Sequence, residues 1–124
     1  MITLVINEPI PSQNQSDREH WSIKHRRKKR FESQLKMDLL TLYKKGERNK
    51  IQSRPKFAEV HIHSQRKRRI LDHANLVGGA KGFVDALVNL DLIYDDADQY
   101  VSITYTQKTG KPYYTQVTID QRED

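Results

Sequence analysis

A chain of 124 residues, 35% apolar and 31% charged, has room for one domain with a modest core and is polar without being disordered in character. Cysteine is absent, which excludes a disulfide framework or a thiolate metal site and fits a reducing, cytoplasmic compartment. No apolar run approaches a membrane span, and MITLVINEPI lacks the basic leader of a signal peptide.

The net charge is +6 with a pI near 9.6. It is concentrated in KHRRKKR (Lys24–Arg30) and QRKRR (Gln65–Arg69). Runs this dense repel themselves unless a polyanion neutralises them, so nucleic acid is the expected partner. The plainer alternative is a solvated helix face and a basic loop.

In chain order, Ile2 to Asn7 alternates with β-rich residues and predicts a strand, ended by Pro9 and Pro11. Ser12 to Ser16 is a polar turn. A helix is expected from about Ser16 or Asp17 to Lys45. Trp21, Phe31, Leu35, Leu39 and Leu42 recur in it at helical intervals, Trp21 as a core anchor, with Gly46 as the stop. Glu47 to Pro55 is a polar loop. Phe57 to His63 alternates as a second strand, with Ala58, Val60 and Ile62 on one face and Phe57, Glu59, His61 and His63 on the other. Asn75 to about Asn89 is a second helix whose buried stripe is Leu76, Ala80, Phe83, Val84, Leu87 and Leu90. A short apolar piece (Leu92 to Tyr94) and an acidic turn (Asp95 to Gln99) follow. Two strands, Tyr100 to Gln107 and Tyr113 to Ile119, are joined by the turn KTGKP. The order β-α-β-α-β-β predicts an α+β domain, with two main helices packed on a small mixed sheet.

On a wheel at ~100° per residue, Ala74, Gly78, Lys81 and Asp85 share a face opposite the apolar stripe. Lys81 therefore points away from the core. Gly78 and Gly79 each cost a helix about 1 kcal/mol relative to Ala, which points either to close approach by a strand or a ligand backbone or to fraying or tight packing on the sheet. Taken singly, Asp72 is a helix cap and Asp95–Asp96 a turn. Taken together, carboxylates are natural Mg²⁺ ligands, a lysine can stabilise a developing phosphorane, and surrounding Arg and Lys offset the repulsion of DNA. His61 and His63 lack a third nitrogen or sulfur ligand nearby in sequence, so a structural or phosphate-facing role is expected. His73 either touches DNA or is simply exposed.

The chain resembles the RusA family of Holliday junction resolvases along most of its length. The matching residues are an N-terminal strand followed by Pro11-Ser-x-Asn14, the His20–Trp21 pair with a basic helix, and Asp72-x-Ala74-Asn75-Leu76-Val77-Gly78-Gly79-x-Lys81 with Asp85-Ala86-Leu87 and Asp95-Asp96. The resemblance implies a homodimer that binds four-way junction DNA and nicks two strands symmetrically with Mg²⁺, for which Mn²⁺ can substitute. It implies no small-molecule cofactor and no membrane. It assigns Asp72, Lys81 and Asp96 to catalysis and Asp72, Asp95 and Asp96 to the metal. The family's Asp-x-Asp-Asn pattern puts its second acid at Ala74, where a methyl group cannot bind metal. An engineered Asp→Ala replacement and a natural loss would both leave this pattern, and the intact remainder of the set favours the former. Lys24, Arg26, Arg27, Lys28, Arg30, Arg66, Lys67, Arg68, Arg69 and Asn75 are the expected DNA contacts. The rival expectations are a non-catalytic junction-binding or regulatory module and, less favoured because no paired aromatics with RNA-reading spacing occur, an RNA-binding domain.

Overall fold

The structure, a computed structural model, describes residues 1–47 and 50–123. Strict alternation makes Ile2–Ile6 the first strand, β1, with Ile2, Leu4 and Ile6 buried and Thr3 and Val5 outward. The Ser12 hydroxyl accepts the Gln15 N–H and caps a short helix, α1 (Gln13–Asp17). His20 then caps the long helix α2 (Trp21–Lys44). There follow β2 (Phe57–Arg66), α3 (His73–Gly79), α4 (Lys81–Asn89), β3 (Val101–Thr109) and β4 (Tyr114–Arg122).

The strands form one sheet in the order β1-β4-β2-β3. β4 runs antiparallel to both β1 and β2, whereas β2 and β3 are parallel, with Ala58 beside Val101 and Arg66 beside Thr109. Parallel neighbours cannot be joined by a tight turn, and α3 with α4 supplies the crossover. The result is an α+β domain on a mixed sheet, as the sequence predicts. Its core lies between the sheet and the helices: Leu4, Ile62 and Val117 meet Phe31 and Leu35 of α2 and Phe83 and Leu87 of α4. The Phe31 and Phe83 rings meet edge to face at 5.7 Å.

α2 also closes the free edge of β1. Its residues Arg30, Gln34 and Asp38 form one stripe at intervals of four. Asp38 Oδ2 accepts the Val5 N–H at 2.8 Å, and Gln34 Oε1 accepts the Asn7 N–H at 2.7 Å. Arg30 grips the Glu8 carboxylate at 2.6 and 2.7 Å. Edge-strand donors that would otherwise recruit another strand are thereby satisfied.

Several expectations need correction. The first helix is not continuous with residues 16 and 17, because α1 ends at Asp17 and α2 restarts at Trp21. Trp21 is no core anchor: it is 70% exposed. Eighteen residues, about five full turns, ahead of Leu39, it keeps to the line of the buried stripe, but it sits at the first residue of α2, ten residues before Phe31, the first residue of that helix to be buried. The second helix starts at His73 and breaks at Ala80, which serves as C-cap of α3 and N-cap of α4. The Gly pair owes its place to packing on the chain leading into α1. A Cβ on Gly79 would stand 1.9 Å from the Pro11 carbonyl oxygen, and one on Gly78 would meet the Gln13 side chain. β2 runs on to Arg66, because buried Ser64 takes a hydrogen bond from the Ile10 N–H and so extends the alternation with a polar residue. β3 and β4 likewise extend to Thr109 and Arg122. Part of the loop expected over 47–55, residues 48 and 49, lies outside the described residues.

Two outcomes check this packing. Gly79→Ala should lower the unfolding free energy in urea by about 1–3 kcal/mol, because the obstructing atoms are backbone. Gly82→Ala, with open space around its Cβ position in α4, should be neutral or stabilise by up to about 1 kcal/mol. Burial opposes ionisation of Glu8, but hydrogen bonds from Arg30 and Gln34 outweigh it and hold its carboxyl below the usual carboxylate range. A carboxyl with a depressed folded-state pKa stabilises above its unfolded value, and that gain is lost as pH falls through the folded one. Melting temperature should therefore decline on acidification below the ordinary Glu range, and Glu8→Gln should decline less over the same window.

Candidate functional site

Asp72 ends the loop after β2 and caps α3, its Oδ1 accepting the Ala74 N–H at 3.0 Å. Both residues are exposed. An acid at position 74 would stand on the same first turn as the Asp72 carboxylate. Next to it, Asn75 Oδ1 accepts the Asn14 N–H at 2.8 Å, which ties α1 to α3 and commits that oxygen to the fold.

Lys81, the first residue of α4, is exposed. It lines a groove of about 370 Å³ whose walls include Lys24, His25 and Lys28 of α2, Asp17 of α1 and Asp85 of α4. The predicted lysine and part of the basic helix thus share one cleft. Asp85 approaches Lys28, at 3.9 Å.

The acid pair stands elsewhere. Asp95 and Asp96 lie in the exposed turn just ahead of β3, with Asp95 Oδ1 accepting the Asp96 N–H at 2.8 Å. The loop before Asp72, by contrast, packs beside the far half of β3: Ile70 exchanges hydrogen bonds with Gln107 at 2.9 and 2.7 Å, and the His73 ring meets Tyr105 edge-on. Val101 and Gln107 are separated by roughly 20 Å of strand. Asp72 and the Asp95–Asp96 pair therefore occupy opposite ends of the crossover. Among the described residues, no three His, Cys, Asp or Glu side chains are grouped so as to hold a metal ion.

The expected DNA contacts divide into two sets. Lys24, Arg26, Lys67, Arg68 and Arg69 are exposed, and Lys28 is half-buried in the groove wall. Arg27 is engaged by both oxygens of Glu19, at 2.6 and 2.5 Å, and Arg30 by Glu8. Arg66 is buried at the end of β2, and its Nε and Nη2 meet no hydrogen-bond partner among the described residues. Burial pushes its pKa down from the ordinary guanidinium value.

His61 and His63 sit in a threonine network on the sheet face away from the helices. His61 contacts Thr104 and Thr106 at 2.8 and 2.9 Å, and His63 contacts Thr106 at 2.7 Å. Burial, then the neighbouring His61 and Lys108, pushes the His63 pKa down.

Two exposed apolar residues beside the basic runs escape the sequence reading: Trp21 and Leu71, the latter 91% exposed. Leu71 carries a readable signal, as it closes a charged run without belonging to any apolar stripe.

No protein-family model matches the chain, and no curated protein matches it. Among the described residues, no helix is long and apolar enough to cross a membrane.

A buried cation without a partner costs stability. Arg66→Met should leave the unfolding free energy unchanged or raise it by on the order of 1 kcal/mol, as measured by urea titration. A clear loss of stability would show that the guanidinium holds the fold together.

Proposed function

We propose that the chain is a RusA-type, Mg²⁺-dependent Holliday junction endonuclease scaffold with one metal-binding carboxylate missing at position 74. The observation that carries this reading is the exposed first turn of α3, where Ala74 stands beside Asp72 while Lys81 projects into a cleft walled by the basic helix. An Asp at 74 would complete a pair of hard oxygen donors of the type that Mg²⁺ prefers.

The donors fit such an ion by type, since Asp72, Asp95 and Asp96 are all solvent-facing carboxylates. Asp72 begins the crossover and Asp95–Asp96 end it, and in this reading two copies combine to bring them into one centre. A homodimer would also present two centres for paired nicks, consistent with two-fold symmetry. When bound, the ion would activate water and offset charge on the scissile phosphate. Lys81 would stabilise negative charge on the reacting phosphate. The exposed residues Lys24, Arg26, Lys67, Arg68 and Arg69 would hold the backbones of the junction arms by neutralising phosphates. In this reading the protein acts on DNA in the cytoplasm.

The methyl group at 74 favours one alternative, a junction-binding or regulatory module that does not cut. The two readings separate on synthetic four-way junctions with Mg²⁺ or Mn²⁺. The chain as it stands should bind and cut poorly. Ala74→Asp should restore symmetric nicks by at least about a hundredfold, since metal stabilisation of several kcal/mol is at stake. Adding Lys81→Ala should remove about 10²–10³ of that gain. A folded, junction-bound Ala74→Asp protein that leaves all strands intact sinks the nuclease reading and favours the non-cutting module.

A further inference from the structure

We infer that Trp21 is a stacking platform for an unpaired DNA base, about one helical turn along α2 from the groove that Lys24 and Lys81 line. The inference rests on the nucleic-acid reading of that groove and is independent of cleavage. Trp21 is 70% exposed at the first residue of α2. Lys24 and His25, three and four residues on, are its neighbours on the helix surface and line the groove. The large apolar ring therefore adjoins cations, and Arg27, which could compete for a ligand, is already held by Glu19.

The platform is also braced. The His20 ring lies 5.6 Å from the Trp21 ring at 37°. His20 is itself held: its Nδ1 accepts the Ser22 N–H at 3.2 Å and lies 2.8 Å from the Ser22 hydroxyl. A ring buttressed in this way loses less freedom when a ligand stacks on it. Aromatic rings beside phosphate-binding cations are how proteins hold single strands, because every base offers a flat face. A duplex keeps its bases paired and stacked, whereas the branch of a junction can expose them. A second copy is the less suited occupant, because Lys24, Arg26, Lys28 and Lys81 would face their own like charges.

Trp21 is the chain's only tryptophan, so its emission reports on this position alone. The full chain is titrated with a single-stranded oligonucleotide, the matching duplex and a four-way junction in EDTA. Emission should be quenched along the binding curve by the single strand and the junction, and less by the duplex. Trp21→Ala should weaken single-strand binding about tenfold with an unchanged salt slope. Lys24→Ala should reduce that slope by about one.

Unchanged emission at saturation, equal quenching by duplex, or undiminished binding by Trp21→Ala overturns the inference. Equal quenching by polyglutamate overturns it in favour of an acidic peptide. An emission shift that follows protein concentration without DNA overturns it in favour of contact between copies. The exposure of Trp21 means its loss should leave the fold intact, which circular dichroism checks. Failure of Ala74→Asp to nick leaves the stacking result standing, whereas an unquenched Trp21 on a junction that this variant nicks overturns stacking alone.

Discussion

The parallel pairing of β2 with β3 is the constraint on which the rest of the structure depends. It obliges residues 67–100 to return the length of the sheet before β3 can begin. That return path carries Asp72 at its start, Lys81 in its middle and Asp95–Asp96 at its end. The buried residues Phe83, Val84 and Leu87 anchor its second half over the sheet. Its first half is drawn onto the linker before α1, where Gly79 admits the Pro11 carbonyl. The groove beside Lys81 exists because this contact brings α1, α2 and the crossover together.

The positive charge serves two ends that the composition does not distinguish. Arg27 and Arg30 are held by carboxylates and fix α2 against the segments before it. Lys24 and Arg26, on the same helix, remain exposed, as do the lysine and arginines at 67–69. A helix with such a charge run could look uniformly solvated, yet alternate members are structural. Exposed pairs contribute little to stability, but the Arg30–Glu8 contact belongs to a network that includes the closing of a strand edge, where leaving donors unpaired would cost more.

Much of the fold was legible because it rests on periodicity. Ile2, Leu4 and Ile6, then Ala58, Val60 and Ile62, alternate plainly, and Leu76, Ala80, Phe83 and Leu87 mark the helical stripe. The misreadings have physical causes. Trp21 fits the helical spacing, and is even in line with Leu39, but it stands at the first residue of α2, ahead of the part of the helix that is buried. Ser64 and Arg66 occupy inward positions that composition assigns to a loop, so β2 looked shorter than it is. The close approach of Pro11 to Gly79, next to the break at Ala80, joins segments remote in sequence. For the site, the exposure of Asp72 and Lys81 on the return path followed from the wheel and from their polarity. Which carboxylates share a neighbourhood did not, because that depends on strand direction, and alternation carries no information about whether neighbours run parallel.

The stripe of Arg30, Gln34 and Asp38 along β1 has a consequence for assembly. A sheet open at both margins can add neighbours without limit, as fibres do. Here one margin is plugged by side chains, so strand addition is left the β3 flank, part of which the loop at Ile70 already lies beside. Association by strand addition would use up that flank in both participants at once. It would stop at a pair, giving a closed assembly rather than a growing one.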